Sequence, residues 1–364
     1  MKEARPTPCL AGWYAAPGNK LMEPKPLDIA RSTDWFPDNV DFARNTFGFV
    51  RTTRETLSQQ SFLDSRWNRT QLARINPPIS TIVAATKSEP RPPLNIIWHT
   101  AFCCSTLLSR CLDVPGKNLA LKEPQILILL AEAKRAGHLA QHETALDATL
   151  KLLARPRTPG ERVLLKPTNA VNNLAPEISR ATDGKMLLLY SDCKNFLISI
   201  AKKGEMGRIF TRKLFSLFAA DGHPQSQWPT QDLFELSDLQ IAAIVWHMQI
   251  AHLRRALAPS RTAALDCEDF LARPEHILSH LNVFFGLEFA AANISEIVTG
   301  PYFSSNAKNQ TEPFSVERRA REAELVAKSF GTDLDTVVEW SYRACPQTPR
   351  ENPLGPTFES IAHQ

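Results

Sequence analysis

NIIWHTAFCCSTLLSRCLD, Asn95 to Asp113, is the stretch on which the fold turns. Ile96 to Trp98 make a short apolar run, a compact loop follows, and Ser105-Thr106 open an apolar helical pattern. Strand, loop and helix in that order suit a phosphate, because a helix N-terminus presents unpaired N–H groups and the positive end of its dipole. Ser105 and Thr106 add hydroxyl donors. Yet the loop holds no glycine, lysine or arginine. GxxxxGK[ST] is absent, which disfavours ATP hydrolysis and kinase chemistry. The plain alternative is that Ser105 merely caps a core helix.

Outward from this stretch, other apolar runs recur: NLALKE (Asn118 to Glu123), VLLKP (Val163 to Pro167), KMLLLYSD (Lys185 to Asp192) and TAALDCED (Thr262 to Asp269). A helical pattern follows each. Pro124 and Gly137 bracket one, Gly204 ends another, and Pro274 and Gly286 bracket a third. Short non-alternating strands separated by helices predict an α/β fold, a parallel sheet covered on both faces. Such sheets bind ligands beyond the carboxyl ends of their strands. Those ends carry His99-Thr100, Glu123, Lys166, Ser191-Asp192 and Glu268-Asp269.

The flanks read differently. Residues 1–36 are rich in proline and turn formers, and helical spacing begins at Asn39, with Val40, Phe42, Ala43, Phe47 and Val50. ATKSEPRPP, Ala85 to Pro93, is proline-containing punctuation. The expected division is an irregular and helical extension over 1–90 packing on the core, an α/β domain over 91–345, and a tail over 346–364. Asp238 to Leu257 predicts a long buried helix, and its His247 and His252 are assigned no role.

A chain of 364 residues with 43% hydrophobic content can bury a sizeable core. A net charge of +4 is too weak to argue for nucleic acid, but it fits a small anionic ligand where a few lysines converge. The seven cysteines are irregularly spaced with no CxxC, which speaks against zinc and against a disulfide framework. Reduced thiols and a cytoplasmic location are expected. The N-terminus lacks a signal-peptide h-region, and no window approaches a membrane span.

Three segments in order resemble the sulfotransferase superfamily over about residues 94–345. TAFCCSTLL is similar to the 5′-phosphosulfate loop, R/K-S-G-S/T-T. YSDCKNFLISI, Tyr190 to Ile200, resembles the 3′-phosphate segment, R-D/N-P-R/K-D-V-x-x-S. LDCEDFLARPEHILSHLNVFFGL, Leu265 to Leu287, resembles Y-E-D-L-x-x-D-P-x-x-x-L-x-x-x-x-x-F-L-G-L. The resemblance implies a P-loop-like fold, 3′-phosphoadenosine 5′-phosphosulfate as donor substrate, no metal, and a small-molecule or glycan acceptor presenting a hydroxyl or amine.

Carried over by position, the resemblance assigns Thr100, Cys103, Cys104, Ser105 and Thr106 to the phosphosulfate, and Lys194 and Ser199 to the 3′-phosphate. Lys308, in the late polar stretch Gly300 to Ala323, is assigned to a loop that folds over the nucleotide. The departures are Phe102 at the loop's basic position and Ser191 at the leading arginine of the second segment. Sulfuryl transfer needs cations where charge develops on the leaving phosphate. Lys166, ending the third strand, is the expected replacement. Glu123 is the expected general base, with His99 as an alternative; the bland reading of Glu123 is a cap for the following helix. The basic run Arg208 to Phe215 either covers the donor or is a solvated face. Competing readings are a scaffold protein that has lost its chemistry and, last, a phosphoryl transferase.

Overall fold

The computed structural model of the chain describes residues 24–258, 260–305, 307–308 and 315–355, without the side chains of 139–141. Residues 1–23, the start of the extension expected over 1–90, and residues 356–364, the end of the expected tail, lie outside the described residues.

Among the described residues, eight strands form two sheets. β1 (Trp35–Asp41), β2 (Thr46–Arg51) and β3 (Arg74–Ile75) are antiparallel, while β4 (Asn95–His99), β5 (Asn118–Lys122), β6 (Arg162–Lys166), β7 (Met186–Tyr190) and β8 (Thr262–Asp266) form a parallel sheet in the order β5-β6-β4-β7-β8. All five expected runs are therefore strands of one parallel sheet flanked by helices.

Every residue of β4, β5 and β7 is buried, which explains their unbroken apolar runs. Alternation survives in where side chains go. Ile96 and Trp98 enter one core and Ile97 the other; Leu188 faces the first, Leu187 and Leu189 the second. Because β4 is central, with β5 and β6 on one side of it and β7 and β8 on the other, the loop after His99 opens into the crevice at the sheet's carboxyl edge.

The helical spacing expected from Asn39 is overturned: residues 35–51 make the β1–β2 hairpin. Asn45, at φ +52°, turns the chain between the strands, a conformation asparagine tolerates better than most residues. Phe47 and Phe49 then stack at 5.1 Å and join the same core as Ile96 and Trp98. Short helices, Pro26–Arg31, Arg54–Gln59 and Ile79–Thr86, flank the hairpin. Between the second helix and β3 the chain returns to the parallel sheet. The Leu63 N–H donates to the Lys122 carbonyl at 2.7 Å, and the Gln125 N–H donates to the Leu63 carbonyl at 3.0 Å.

The helix Asp238–Arg254 is buried over most of its length, as its apolar pattern predicts. Its polar exceptions position the site. Gln249 Oε1 accepts from the Ala101 N–H at 2.8 Å and from Asn169 Nδ2 at 3.0 Å. Trp246 Nε1 donates to the Ser191 carbonyl at 2.8 Å. Three residues apart, they share one helix face, so a single rigid element pins the loops after β4 and β7. His252 is held by His223, with Nε2 atoms 3.0 Å apart, and His247 by Ser341.

The loop after β7 becomes a helix at Cys193, capped by Asp192, whose carboxylate accepts from the Asn195 N–H at 2.9 Å. Asp192→Ala should lower stability by about 1 kcal/mol, measured by urea denaturation, through loss of this cap. An unchanged midpoint would mean the cap contributes nothing here.

Candidate functional site

The loop between His99 and Ser105 is compact and strained. Phe102 and Cys104 stand at φ +60° and +56°, the left-handed region that costs non-glycine residues roughly 1–2 kcal/mol each. Cys104 thus keeps a glycine-like backbone without glycine. Ser105 and Thr106, at the start of the helix Ser105–Cys111, face a cavity of about 660 Å³.

One wall is the helix Cys193–Lys202, which contributes Asn195, Ile198, Ser199 and Lys202, one face at spacings of three and four. Lys194 is not on that wall. Five residues from Ser199, it is rotated about 140° away, and its Nζ pairs with Asp335 at 2.6 Å. Ser305, Ala307 and Lys308 form another wall, and Ser315, Arg318, Arg319 and Glu322 from the helix Val316–Phe330 close the space.

Among the described residues, five cations line this cavity, Lys202, Lys203, Lys308, Arg318 and Arg319, against two carboxylates, Glu268 and Glu322. Glu322 pairs with Lys202 and, at 2.8 Å, with Arg318. Arg319 grips Glu268 with two parallel bonds, Nη1 to Oε2 at 2.8 Å and Nη2 to Oε1 at 2.5 Å. The surplus is positive, and the cavity suits an anion.

Phe102, expected from the resemblance to stand in place of a basic residue, packs on Phe196 and Phe210 with centroids 6.1 and 5.4 Å away. Lys308 Nζ lies 5.6 Å from the Phe102 ring centre. A cation therefore stands over the position where the loop itself has none, delivered from some two hundred residues further along the chain. Burial lowers the pKa of that ammonium, and the nearby Lys166 charge lowers it further.

Lys166 and Glu123 do not line the cavity. Lys166 Nζ, fully buried, meets Glu123 Oε1 at 2.5 Å, and Arg66 Nη2 meets Glu123 Oε2 at 2.7 Å. Burial pushes the Glu123 carboxyl up, but Lys166, His99 and Arg66 outweigh it and bring it down to about 2. Glu123 itself stands at φ +57°. Lys122, its neighbour, takes the other direction to Asp113 at 3.1 Å, as strand alternation requires. His99 is buried with Nδ1 2.8 Å from the Thr100 carbonyl and Nε2 2.9 Å from the Pro167 carbonyl. Burial, helped by Lys166, pushes it down to about 4. Both ring nitrogens thus face backbone carbonyls, and the neutral ring can donate to one of them.

Of the residues singled out from sequence, Cys103, Cys104, Ser105, Thr106, Ser199 and Lys308 come together around the cavity. Thr100 is buried beneath the loop, and Ser191 is buried against Trp246. Arg208 and Arg212 pair with Asp238 and lie off the cavity wall. Lys202, Lys203, Arg318 and Arg319 were missed. Their one sequence signal is position: Lys202 lies seven residues after Asn195, and the two arginines open the helix that follows the Lys308 stretch.

No protein-family model matches the chain, and no curated protein matches it. Among solved structures, it is similar to the sulfotransferase domain from the curacin biosynthetic pathway, at 14% identity over 71% of this chain and 99% of that one, with a TM-score of 0.39. It is similar to the sulfotransferase domain of the Synechococcus olefin synthase, at 13% identity over 69% and 94%, with a TM-score of 0.37. A third is a sulfotransferase from Mycobacterium avium, at 12% identity over 70% and 81%, with a TM-score of 0.34. All three neighbours are sulfotransferases, but overlaps this loose carry no weight for function, which must rest on the residues around the cavity.

Proposed function

We propose that the chain binds 3′-phosphoadenosine 5′-phosphosulfate in this cavity and passes its sulfuryl group to a hydroxyl or amine acceptor. The observation that carries the reading is the surplus of cations facing Ser105, Thr106 and Ser199 across one cavity. In sulfuryl transfer the acceptor attacks sulfur while the bond to the bridging phosphate oxygen breaks, so negative charge grows on that oxygen. Fixed cations there lower the barrier most. Lys308, over Phe102, takes that role, while Lys202, Lys203, Arg318 and Arg319 neutralise the remaining phosphate charge.

The acceptor side falls to Glu123 and Lys166. At a pKa of about 2, Glu123 is a weak base while both ion pairs stand. Taking an acceptor proton requires that Lys166 turn from Glu123 toward the donor. The closed pair also favours a second reading, a nucleotide-binding protein on this fold that transfers nothing.

A thermal-shift titration with adenosine 3′,5′-bisphosphate tests the site. Ligand at a hundredfold excess over Kd should add about 2.7 kcal/mol and raise Tm by several degrees. AMP and ATP–Mg²⁺ should act more weakly. No shift at millimolar bisphosphate would sink both readings. Binding without consumption of the phosphosulfate donor, across hydroxyl and amine acceptors, would leave the second.

A further inference from the structure

The basic run Arg208 to Phe215 lies off the donor cavity, on a helix, Gly204–Ala219, that keeps apolar side chains in water. We propose that the outer face of this helix, together with that of the helix Val316–Phe330, docks onto an anionic membrane surface. Gly207, Thr211, Leu214 and Phe218 turn the inner face of the first helix into the protein. Met206, Ile209 and Lys213 follow one another at spacings of three and four, a line along the opposite face. Met206 is 69% exposed and Ile209 41%. On the second helix Leu325 is 67% exposed, with Arg321 and Lys328 exposed four residues before it and three after.

The two faces belong together. Both helices pack on the helix Cys193–Lys202. Glu322, three residues before Leu325 and so on its side of the helix, pairs with Lys202, four residues before Met206.

Charge says what covers them. From Lys202 to Lys213 the chain carries five cations and one carboxylate, Glu205. Arg208 and Arg212 share a single partner, Asp238, at 3.6 and 2.8 Å, and remain about half exposed. Exposed apolar side chains among lysines and arginines suit the boundary of an anionic bilayer, where the apolar groups enter the acyl region and the long cationic side chains reach back to the headgroups. A second copy of the chain would bring the same positive surplus. Residues 1–23 carry three cations and two carboxylates, so they offer no complementary charge either. A bilayer, being fluid, needs no groove, and the lining of the donor cavity stops short of residues 205–213.

The first helix also reaches the donor loop, through Phe210 on Phe102 at 5.4 Å. Docking there would bring the cavity to the membrane surface. The proposal itself uses none of the donor chemistry.

Co-sedimentation of the full chain with lipid vesicles tests it. Vesicles of phosphatidylcholine with phosphatidylserine should carry the protein down, and pure phosphatidylcholine should not. Each basic residue near an anionic leaflet strengthens binding about fivefold, so Arg212→Glu with Lys213→Glu should weaken it at least tenfold, and raised salt should release the protein. Met206→Gln with Leu325→Gln keeps every charge and should also weaken binding about tenfold or more, since the apolar groups no longer gain from leaving water. These side chains are exposed, so both double variants should match the parent in Tm without lipid and in affinity for adenosine 3′,5′-bisphosphate. No binding to the phosphatidylserine vesicles would overturn the proposal and leave the donor reading untouched. Equal binding to pure phosphatidylcholine would overturn the anionic specificity. Variants that fold and bind vesicles like the parent would overturn the assignment to these two helices.

Discussion

Lys166→Ala is expected to lose about 3 kcal/mol of folding stability, read as a lower urea midpoint. Removing one member of a buried ion pair leaves the other charge without its partner in a medium that solvates it poorly, at roughly 3–5 kcal/mol. The low end applies because Arg66, half exposed, still holds Glu123. Lys166→Met combined with Glu123→Gln removes both charges and should recover most of the loss, since well-packed neutral groups often replace a buried pair at little cost. A single variant as stable as the parent would show that Lys166 and Glu123 are not paired in solution.

The same pair sets an acid limit. Glu123 is depressed in the fold, from an ordinary 4.5 to about 2, so the unfolded chain binds its proton more tightly. Its contribution, about 3 kcal/mol at one pKa unit per 1.36 kcal/mol, is complete above about pH 4.5 and lost as pH falls through about 2. The double variant should lack this part of the acid sensitivity. Equal slopes between pH 4.5 and 2 in parent and double variant would reject the assignment.

Arg319→Ala should weaken adenosine 3′,5′-bisphosphate binding by about 10–100-fold, measured by titration at fixed salt. A hydrogen bond to a charged group is worth roughly 1.5–3 kcal/mol, and the change also uncovers Glu268, which Arg319 holds with two bonds. An unneutralised carboxylate then faces the anion. Adding Glu268→Ala restores the cavity's charge balance and should recover at least part of the affinity, the non-additivity expected of touching residues. Arg319→Lys should be intermediate, because a lysine cannot reproduce the two-pronged contact. If the double variant binds no better than Arg319→Ala, the arginine acts through shape rather than charge.

The elements legible in sequence were those with local signatures. Parallel strands covered on both faces must be unbroken apolar runs, and all five were readable as such. The β1–β2 hairpin was misread because Val40, Phe47 and Val50 also satisfy helical spacing; Asn45, adopting a left-handed turn, breaks that period. Of the two residues that motif order singles out on this helix, Ser199 lies on the cavity wall and Lys194 is turned off it by its angle around the helix, which motif order does not record. Gln249 looked like one polar residue on an apolar helix, yet it tethers the loop through the Ala101 N–H.

By itself the sequence determined an α/β chain with a parallel sheet, a loop after Asn95–His99 at its carboxyl edge, and the lack of a cation within that loop. Those properties follow from periodicity and composition over a few residues. Only the tertiary structure decided where the charge comes from. Lys166 ends its strand as expected but spends its charge on Glu123, while Lys308, Arg318 and Arg319 converge on the loop from the far end of the chain. A charge is defined by the groups that surround it, and those are set by long-range packing that no local spacing records.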